Sequence, residues 1–508
     1  MFNGMHTRIK NLARWESTLV KLMGVIEIIL GTALLFPAAV ALFYDEDPMV
    51  FLYLVPILLI LGMFQYLFFR RGGTIKPAGG MLIIFVAWWV TFFVSAIPYF
   101  LSGSSVVDSL FEGVSGLTTT GLSVIGSASV PYSILFWGAL TQWAGGISIV
   151  LVFLFLIPMM GIGGRALSNN ELIGTETYNF SMKTKSAVKN FITIYILLSA
   201  VEAVLLMVTG VEPFESVTMM FSTISTGGFM AAGGSMADHS FATQVVVLAF
   251  MFLGGTNFYL HYRALKKRDF SAYRKSQEYV WTVILFLIAT FALLTITMMN
   301  IGSVSVTDAE NILWNTLFTV VSVGTTTGYT IVDQSYWPLA GFVILWMVML
   351  FGSMSGSTSG GIKIYRLLII GSYVSNGIYK MFHPRSVRVV RADGHAVNED
   401  AVVSAAVVII MFIVVLIAST LFLLVSEPGM SITGSFGLSI SAISNSGVNI
   451  GGMAVTELTE VSKVFLTFMM WVGRLEVVIA LMMFTRTFWS DLIMDARSSR
   501  RISKNKRY

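Results

Sequence analysis

Cysteine is absent from the 508 residues, and only 12% of them are charged. The first absence removes disulfides and thiolate metal sites without fixing a compartment. The second excludes an ordinary soluble domain, where about 25% of residues carry charge. Histidine is scarce too, with five scattered copies. Intramembrane serine chemistry at Ser353 or Ser355 needs a base alongside, and His261, the one histidine near an apolar run, lies at its end. No enzyme is expected.

What is present is apolar: 56% of the chain is hydrophobic, and its mean hydropathy is +0.79. A membrane-spanning helix needs about 20 apolar residues, and ten runs qualify: Val20–Phe43, Met49–Phe69, Gly80–Leu101, Pro131–Met160, Phe191–Gly210, Phe241–Tyr262, Tyr279–Ile301, Trp337–Tyr379, Ala401–Val425 and Val461–Trp489. The first follows Arg8, Lys10 and Arg14 and contains the cleavage-like Ala39-Val40-Ala41. It is longer than a secretory signal's apolar core of about 7–15 residues and is read as a retained span.

The net charge of +5 does not point to nucleic acid, because the charges lie between the runs. Alternate connections hold Arg70, Arg71 and Lys76; Arg165, Lys183, Lys185 and Lys189; Arg263 and Lys266 through Lys275; Lys380 through Arg391; and Arg497 to Arg507. The others hold Asp45 to Asp47, Glu212, Asp308 and Glu427. The positive-inside rule then puts both termini in the cytoplasm. The basic segments also suit anionic membrane lipid.

Short segments too weak to span sit between pairs of runs, and each ends in small polar residues followed by glycine. They are Thr118-Thr119-Thr120-Gly121, Ile224-Ser225-Thr226-Gly227, Thr325-Thr326-Thr327-Gly328 and Ser444-Asn445-Ser446-Gly447. The glycines are 106, 101 and 119 residues apart, a period that implies a repeated architecture. The expected fold is all-α and integral to the membrane, with ten transmembrane helices and four re-entrant loops in pseudo-fourfold span–loop–span repeats. Residues 1–76 form two extra N-terminal spans, and the repeats occupy 77–165, 166–268, 269–385 and 386–508.

A short helix precedes each loop. Thr307-x-x-Glu310 is a capping box in the third, and Glu212-Pro213 places proline near a helix start in the second. Asp108 and Ser109, and Ser431 and Thr433, take the equivalent place in the first and fourth. Such helices run inward and turn their negative C-terminal ends to the membrane centre. Irregular backbone is tolerated at that depth where protein buries it or water lines it. Carbonyl oxygens there can replace the hydration shell of a cation, as in potassium-channel filters, and Thr325-Thr326-Thr327-Gly328-Tyr329 is close to that filter sequence. Helix packing through small residues accounts for Gly145-Gly146 and Gly254-Gly255, not for four polar segments in phase.

On these motifs, across essentially its full length, the chain resembles the Trk/Ktr/HKT superfamily of potassium transporters, and within it the TrkH branch, which carries the two extra N-terminal spans. The resemblance implies potassium uptake across a bacterial inner membrane. It makes the four stretches named above the filter backbone, with potassium the permeant ion and no cofactor in this chain. In plant sodium-transporting members a serine can replace the first-loop glycine, and Gly121 favours potassium. The fourth loop departs most, with Asn445 and Ser446 replacing threonines. A homodimer and a TrkA-like cytoplasmic nucleotide-binding regulator are implied as partners.

The eighth run contains Gly352, Gly356, Gly360 and Gly361 within ten residues. A helix-interior glycine costs about 1 kcal/mol relative to alanine, so the helix should break here. The resemblance makes this stretch an intramembrane gating loop beneath the filter; a non-gating kink is the other reading. Arg474 lies deep in the tenth run, where charge is costly and usually functional. It is read as an electrostatic barrier touching the glycine-rich loop, with Glu476 as local partner, or as a structural tie. Lys363 either enters the cavity or snorkels to the inner surface. Glu202 is read as a structural buried acid.

Two imitations fall away. Gly356-x-x-x-x-Gly361-Ile362-Lys363 has its lysine displaced for a phosphate loop and no strand before it. Gly161-x-Gly163-x-x-Ala166 lacks a βαβ setting. The alternative function is an ion-coupled secondary transporter moving potassium with a proton or sodium. Such carriers often use inverted repeats, whereas all four units here run the same way.

Overall fold

The computed structural model describes residues 14–69, 77–125, 130–155, 180–230, 235–301, 306–333 and 336–494. Two helical segments come first: α1 (Arg14–Ala33) with α2 (Leu35–Phe43), and the short α3 (Met49–Leu52) with α4 (Leu54–Phe68). α1 and α4 pack along each other. Their crossing is close because Gly24 and Gly62 face one another; a methyl on either would come within 2.6 Å of the other's carbonyl oxygen.

Four units of helix, short helix and helix follow. The first has α5 (Pro77–Leu101), α6 (Val106–Leu117) and α7 (Tyr132–Phe155). The second has α8 (Phe180–Val208), α9 (Pro213–Ile224), and α10 (Phe241–Gly254) continued by α11 (Phe258–Lys267). A short helix, α12 (Ser271–Lys275), leads to the third unit: α13 (Gln277–Ile301), α14 (Val306–Gly324), and α15 (Leu339–Phe351) continued by α16 (Ile364–Phe382). A two-stranded hairpin pairing Arg391 with Ala396 precedes the fourth: α17 (Glu399–Ser426), α18 (Ile432–Ser444), and α19 (Glu460–Arg474) continued by α20 (Val477–Met482).

The short helices start where local chemistry supplies caps. Ser105 Oγ accepts from Asp108 N at 3.1 Å, Pro213 opens α9, and Ser431 Oγ accepts from Gly434 N at 3.0 Å. The two serines satisfy donors that a helix start leaves without intrahelical partners, and Pro213 has no N–H to satisfy. α14 begins at Val306, before Thr307, so its cap falls outside the described residues. The Gly161–Ala166 stretch also lies outside them.

Ten continuous spans are not what the described residues contain. Six helical segments are long and apolar enough to cross a membrane, or seven if one bent pair counts as one span. The six are the two N-terminal segments and the first helix of each unit. The second helices differ: α10 and α11 meet at 102°, twelve residues separate α15 from α16, and α19 gives way to α20 at Leu475 and Glu476. Hydropathy averages over such breaks and cannot register them. The run at Pro131–Met160 passes into residues outside those described.

Each short helix packs against its own unit and against the second helix of the preceding one: α9 on α7, α14 on α10, α18 on α15, and α6 on α19. That last contact closes the order into a circle. Lys463 Nζ donates to Asp108 at 2.7 Å across the same seam. Large apolar side chains such as Ile288, Phe291 and Met299 point away from this assembly and stay exposed, the arrangement expected when lipid is the solvent.

Candidate functional site

The four short helices end alike. Thr119, Thr226, Thr326 and Asn445 have φ of 52–57°, a left-handed conformation costly for β-branched residues. In the first loop Thr119 N donates to Gly116 O and Thr120 N to Ser115 O, both at 2.9 Å. The same pair recurs as Thr226 to Thr223 and Gly227 to Ser222, Thr326 to Val323 and Thr327 to Ser322, and Asn445 to Ala442 and Ser446 to Ser441. This is the Schellman helix stop, built four times with threonine or asparagine where glycine is usual.

Two residues on, Gly121, Gly228, Gly328 and Gly447 also have positive φ, 74–95°. Each glycine sits on the carbonyl oxygen of its neighbour. A Cβ on Gly121 would overlap Gly227 O, on Gly228 Thr327 O, on Gly328 Ser446 O, and on Gly447 Thr120 O. The cycle runs first to second to third to fourth to first, so four loops form one closed ring. Only a residue without a side chain permits this approach together with that φ.

The ring corrects the register of the second loop. Its counterpart to Gly121 is Gly228, and the stretch equivalent to Thr118–Gly121 is Ser225–Gly228. Ile224 ends α9 as Leu117 ends α6. The paired glycines Gly227-Gly228 made the sequence ambiguous by one residue. The second loop, with Gly227 where the others carry threonine or serine, is therefore the least regular in side chains. Gln142 of α7 fills the space: its Nε2 donates to Gly227 O at 2.7 Å and its Oε1 accepts from Phe229 N at 3.1 Å.

Side chains behind the ring are hydroxyl-rich and buried. Thr118 and Thr120 hydroxyls lie 2.7 Å apart, and those of Thr325 and Thr327 2.9 Å apart. Asn445 Nδ2 donates to Thr120 Oγ1 at 2.9 Å and to Met470 O at 2.8 Å, tying the fourth loop to the first. Ser115 and Ser322 donate to Leu122 O and Tyr329 O, which follow the ring glycines. Ser222 and Ser441 occupy the same place in the other two loops.

Residues 352–363 leave α15 and return to it. Ile362 N donates to Leu350 O and Lys363 N to Phe351 O, both at 3.0 Å. Between these points the backbone forms a compact loop under the helix ends. Thr226 Oγ1 donates to Thr358 Oγ1 at 3.2 Å, and Gly360 N donates to Thr326 Oγ1 at 2.8 Å. Gly360 lies so near Ser444 that a Cβ would overlap the Ser444 carbonyl. Gly356 O accepts from Phe258 N at 3.2 Å, anchoring the loop to the bend of the second unit. Glu278 of α13 accepts from Ser355 N at 2.6 Å and Tyr365 N at 3.2 Å, gathering both arms of the loop.

Arg474 is 4% exposed and donates to Thr358 O at 2.8 Å and to Gly145 O at 3.3 Å. It thus joins the glycine-rich loop to the second helix of the first unit. Glu476 is not its partner: that carboxylate takes Arg366 at 2.5 and 2.7 Å. The chain turns at Glu476 with φ 67°, which carries its side chain to α16. Lys363 does not snorkel. It is buried and its ammonium donates to Ser359 O and, at 3.1 Å, to Ser359 Oγ. Glu202 is fully buried in α8.

A ring of four helix–loop hairpins from one chain, above a loop held by a buried arginine, is a recognisable assembly, and residues 57–495 match the cation transport protein family TrkH. The chain belongs to that family. Among its relatives, the TrkH potassium uptake protein of the Trk system in Escherichia coli K12 is 28% identical over 485 residues, covering 93% of this chain and 99% of the relative. An uncharacterised cation transporter of Methanocaldococcus jannaschii is 27% identical over 484 residues, covering 94% and 97%. The crystal structure of the potassium transporter TrkH from Vibrio parahaemolyticus superposes with a TM-score of 0.83 at 26% identity, covering 93% of this chain and 99% of that one. The protein is thus a membrane-spanning TrkH-family transporter subunit. Gln142, Glu278 and the four serines of the TrkH-type hairpins were not singled out by sequence reasoning. The serines had a readable signal: each stands six residues before a ring glycine.

Proposed function

We propose that this protein carries potassium into the cell through the ring, with main-chain oxygens of residues 118–121, 225–228, 325–328 and 444–447 as the ion's ligands. The single observation that carries this reading is the closed cycle of glycine-on-carbonyl contacts around four helix C-termini. Each helix end contributes a partial negative charge of about half an electron, so four of them favour a cation between them. Carbonyls fixed by backbone packing can replace part of its hydration shell. Names of the family's potassium-transporting members agree with the choice of ion.

The loop from Gly352 to Gly361 is the gate in this proposal, and Arg474 both holds it and repels cations while it is closed. The loop's position against the helix ends of the second, third and fourth units supports that role. The basic connections orient the chain in a bacterial inner membrane with both termini cytoplasmic. Regulation comes from a cytoplasmic nucleotide-binding partner of the TrkA type, acting on a homodimer of this chain. Bi-ionic reversal potentials of reconstituted protein test the reading. Channel currents selective for potassium over sodium, with selectivity reduced by Gly121→Ser, are expected. Transport coupled stoichiometrically to protons or sodium, without such currents, overturns it.

A further inference from the structure

At the seam between the first and second loops lies a cavity of about 200 Å³, lined by Tyr99, Glu112, Gly121, Ser123, Gly228 and Phe229 among others. Two of these are glycines of the ring, so the cavity adjoins the ring without lying within it. Glu112 stands midway along α6 and is 5% exposed. Its Oε1 accepts from Ser123 Oγ at 2.7 Å and its Oε2 from Val124 N at 3.1 Å. A carboxylate offers about four acceptor positions, so about half of this one's capacity remains.

No lysine, arginine or histidine pairs with Glu112 among the described residues. Asp108, one turn earlier, shows the contrast, because Lys463 neutralises it at 2.7 Å. A buried carboxylate without a cationic partner is costly. Tyr99 supplies a second, independent sign. Its side chain lines the same cavity and is 2% exposed, yet its hydroxyl has no hydrogen-bond partner. Gly138 of α7 leaves that hydroxyl its room, since a Cβ there would lie 3.1 Å from Tyr99 Oη.

We propose that this cavity is an off-axis site for a monovalent cation, held by Glu112 and Tyr99 Oη with retained water, from which the ring is supplied. The volume suffices for a cation and several waters, given about 30 Å³ per water in the liquid. The inference rests on the reading of the ring as a cation path, and the test separates the two. The full-length protein is crystallised in thallium(I), whose anomalous signal reports monovalent cation sites directly.

The expected result is anomalous density in the cavity as well as at the ring, with Glu112→Gln losing the first and keeping the second. In rubidium uptake by proteoliposomes, Glu112→Gln raises the half-saturating concentration on the order of tenfold at unchanged maximal rate. That is the effect of removing one charge roughly 10 Å from an ion at intermediate dielectric. Tyr99→Phe, which deletes only the unpartnered hydroxyl, lowers the cavity density and serves if Glu112→Gln does not fold. Density at the ring alone, or cavity density that survives Glu112→Gln, overturns the inference and leaves the ring's function standing. Density at neither place overturns both.

Discussion

The ring and the loop beneath it are both rich in glycine and hydroxyl residues, yet side chains take a larger share in holding the loop. In the ring, backbone leans on backbone: every glycine meets a neighbour's carbonyl, and nothing there can rotate out of the way. In the loop from Gly352 to Gly361, main-chain contacts such as Gly360 on Ser444 O are joined by hydrogen bonds with side chains of other helices, including Thr226, Thr326, Glu278 and Arg474. A Cβ added at Gly356 would meet the side chain of Asn257, not a backbone oxygen, at 3.1–3.2 Å. Similar composition therefore yields two differently held elements, the ring mainly through main chain and the loop through main chain and side chains together.

The sharpest way to break this contrast is Gly228→Ala. The added methyl meets Thr327 O at a φ of 76°, and a backbone oxygen cannot step aside. Rubidium uptake is expected to fall about 100-fold, the size of effect that a misplacement of about 1 Å has in enzyme active sites. Wild-type uptake by this variant would show the ring to be as pliable as the loop. Next comes Arg474→Ala, which deletes two hydrogen bonds from a charged donor. Bonds of that class contribute about 1.5–3 kcal/mol, so basal current measured in bilayers should rise by one to two orders of magnitude.

Thr326→Val keeps the shape of the left-handed residue while removing the acceptor of Gly360 N. A single neutral hydrogen bond is worth about 1 kcal/mol, and basal current should rise about fivefold with ion selectivity unchanged. A selectivity change instead would show that the Thr326 side chain shapes the ring as well as holding the loop. The smallest effect belongs to Gly371→Ala in α16, where an added Cβ meets nothing within 4 Å. Helix propensity predicts about 1 kcal/mol of added stability, read as a higher midpoint in thermal unfolding, with transport unaltered.

Much of this architecture could be read from the chain before its structure was known, because period and polarity survive in sequence. The first, third and fourth loops end at the same glycines, Gly121, Gly328 and Gly447, that the repeat singled out. The second was displaced by one residue, since Gly227 and Gly228 are chemically identical and only their torsions distinguish them. The break at Gly352–Gly361 was legible from glycine density, whereas the bend at Gly254–Asn257 and the turn at Glu476 were not. Both depend on tertiary partners, Gly356 O for the first and Arg366 for the second. Arg474 was legible as a buried charge touching the loop, and its neighbour Glu476 was assigned to the wrong arginine because spacing cannot reveal a side chain swung away by a positive φ.

Since the fourth loop leans on the first, the ring behaves as a hoop with no free end. A distortion entering at any one loop must be shared by the other three before it can relax. The spacing of the loops is then a property of the circle, set jointly by four different sequences, and one altered glycine should shift all four.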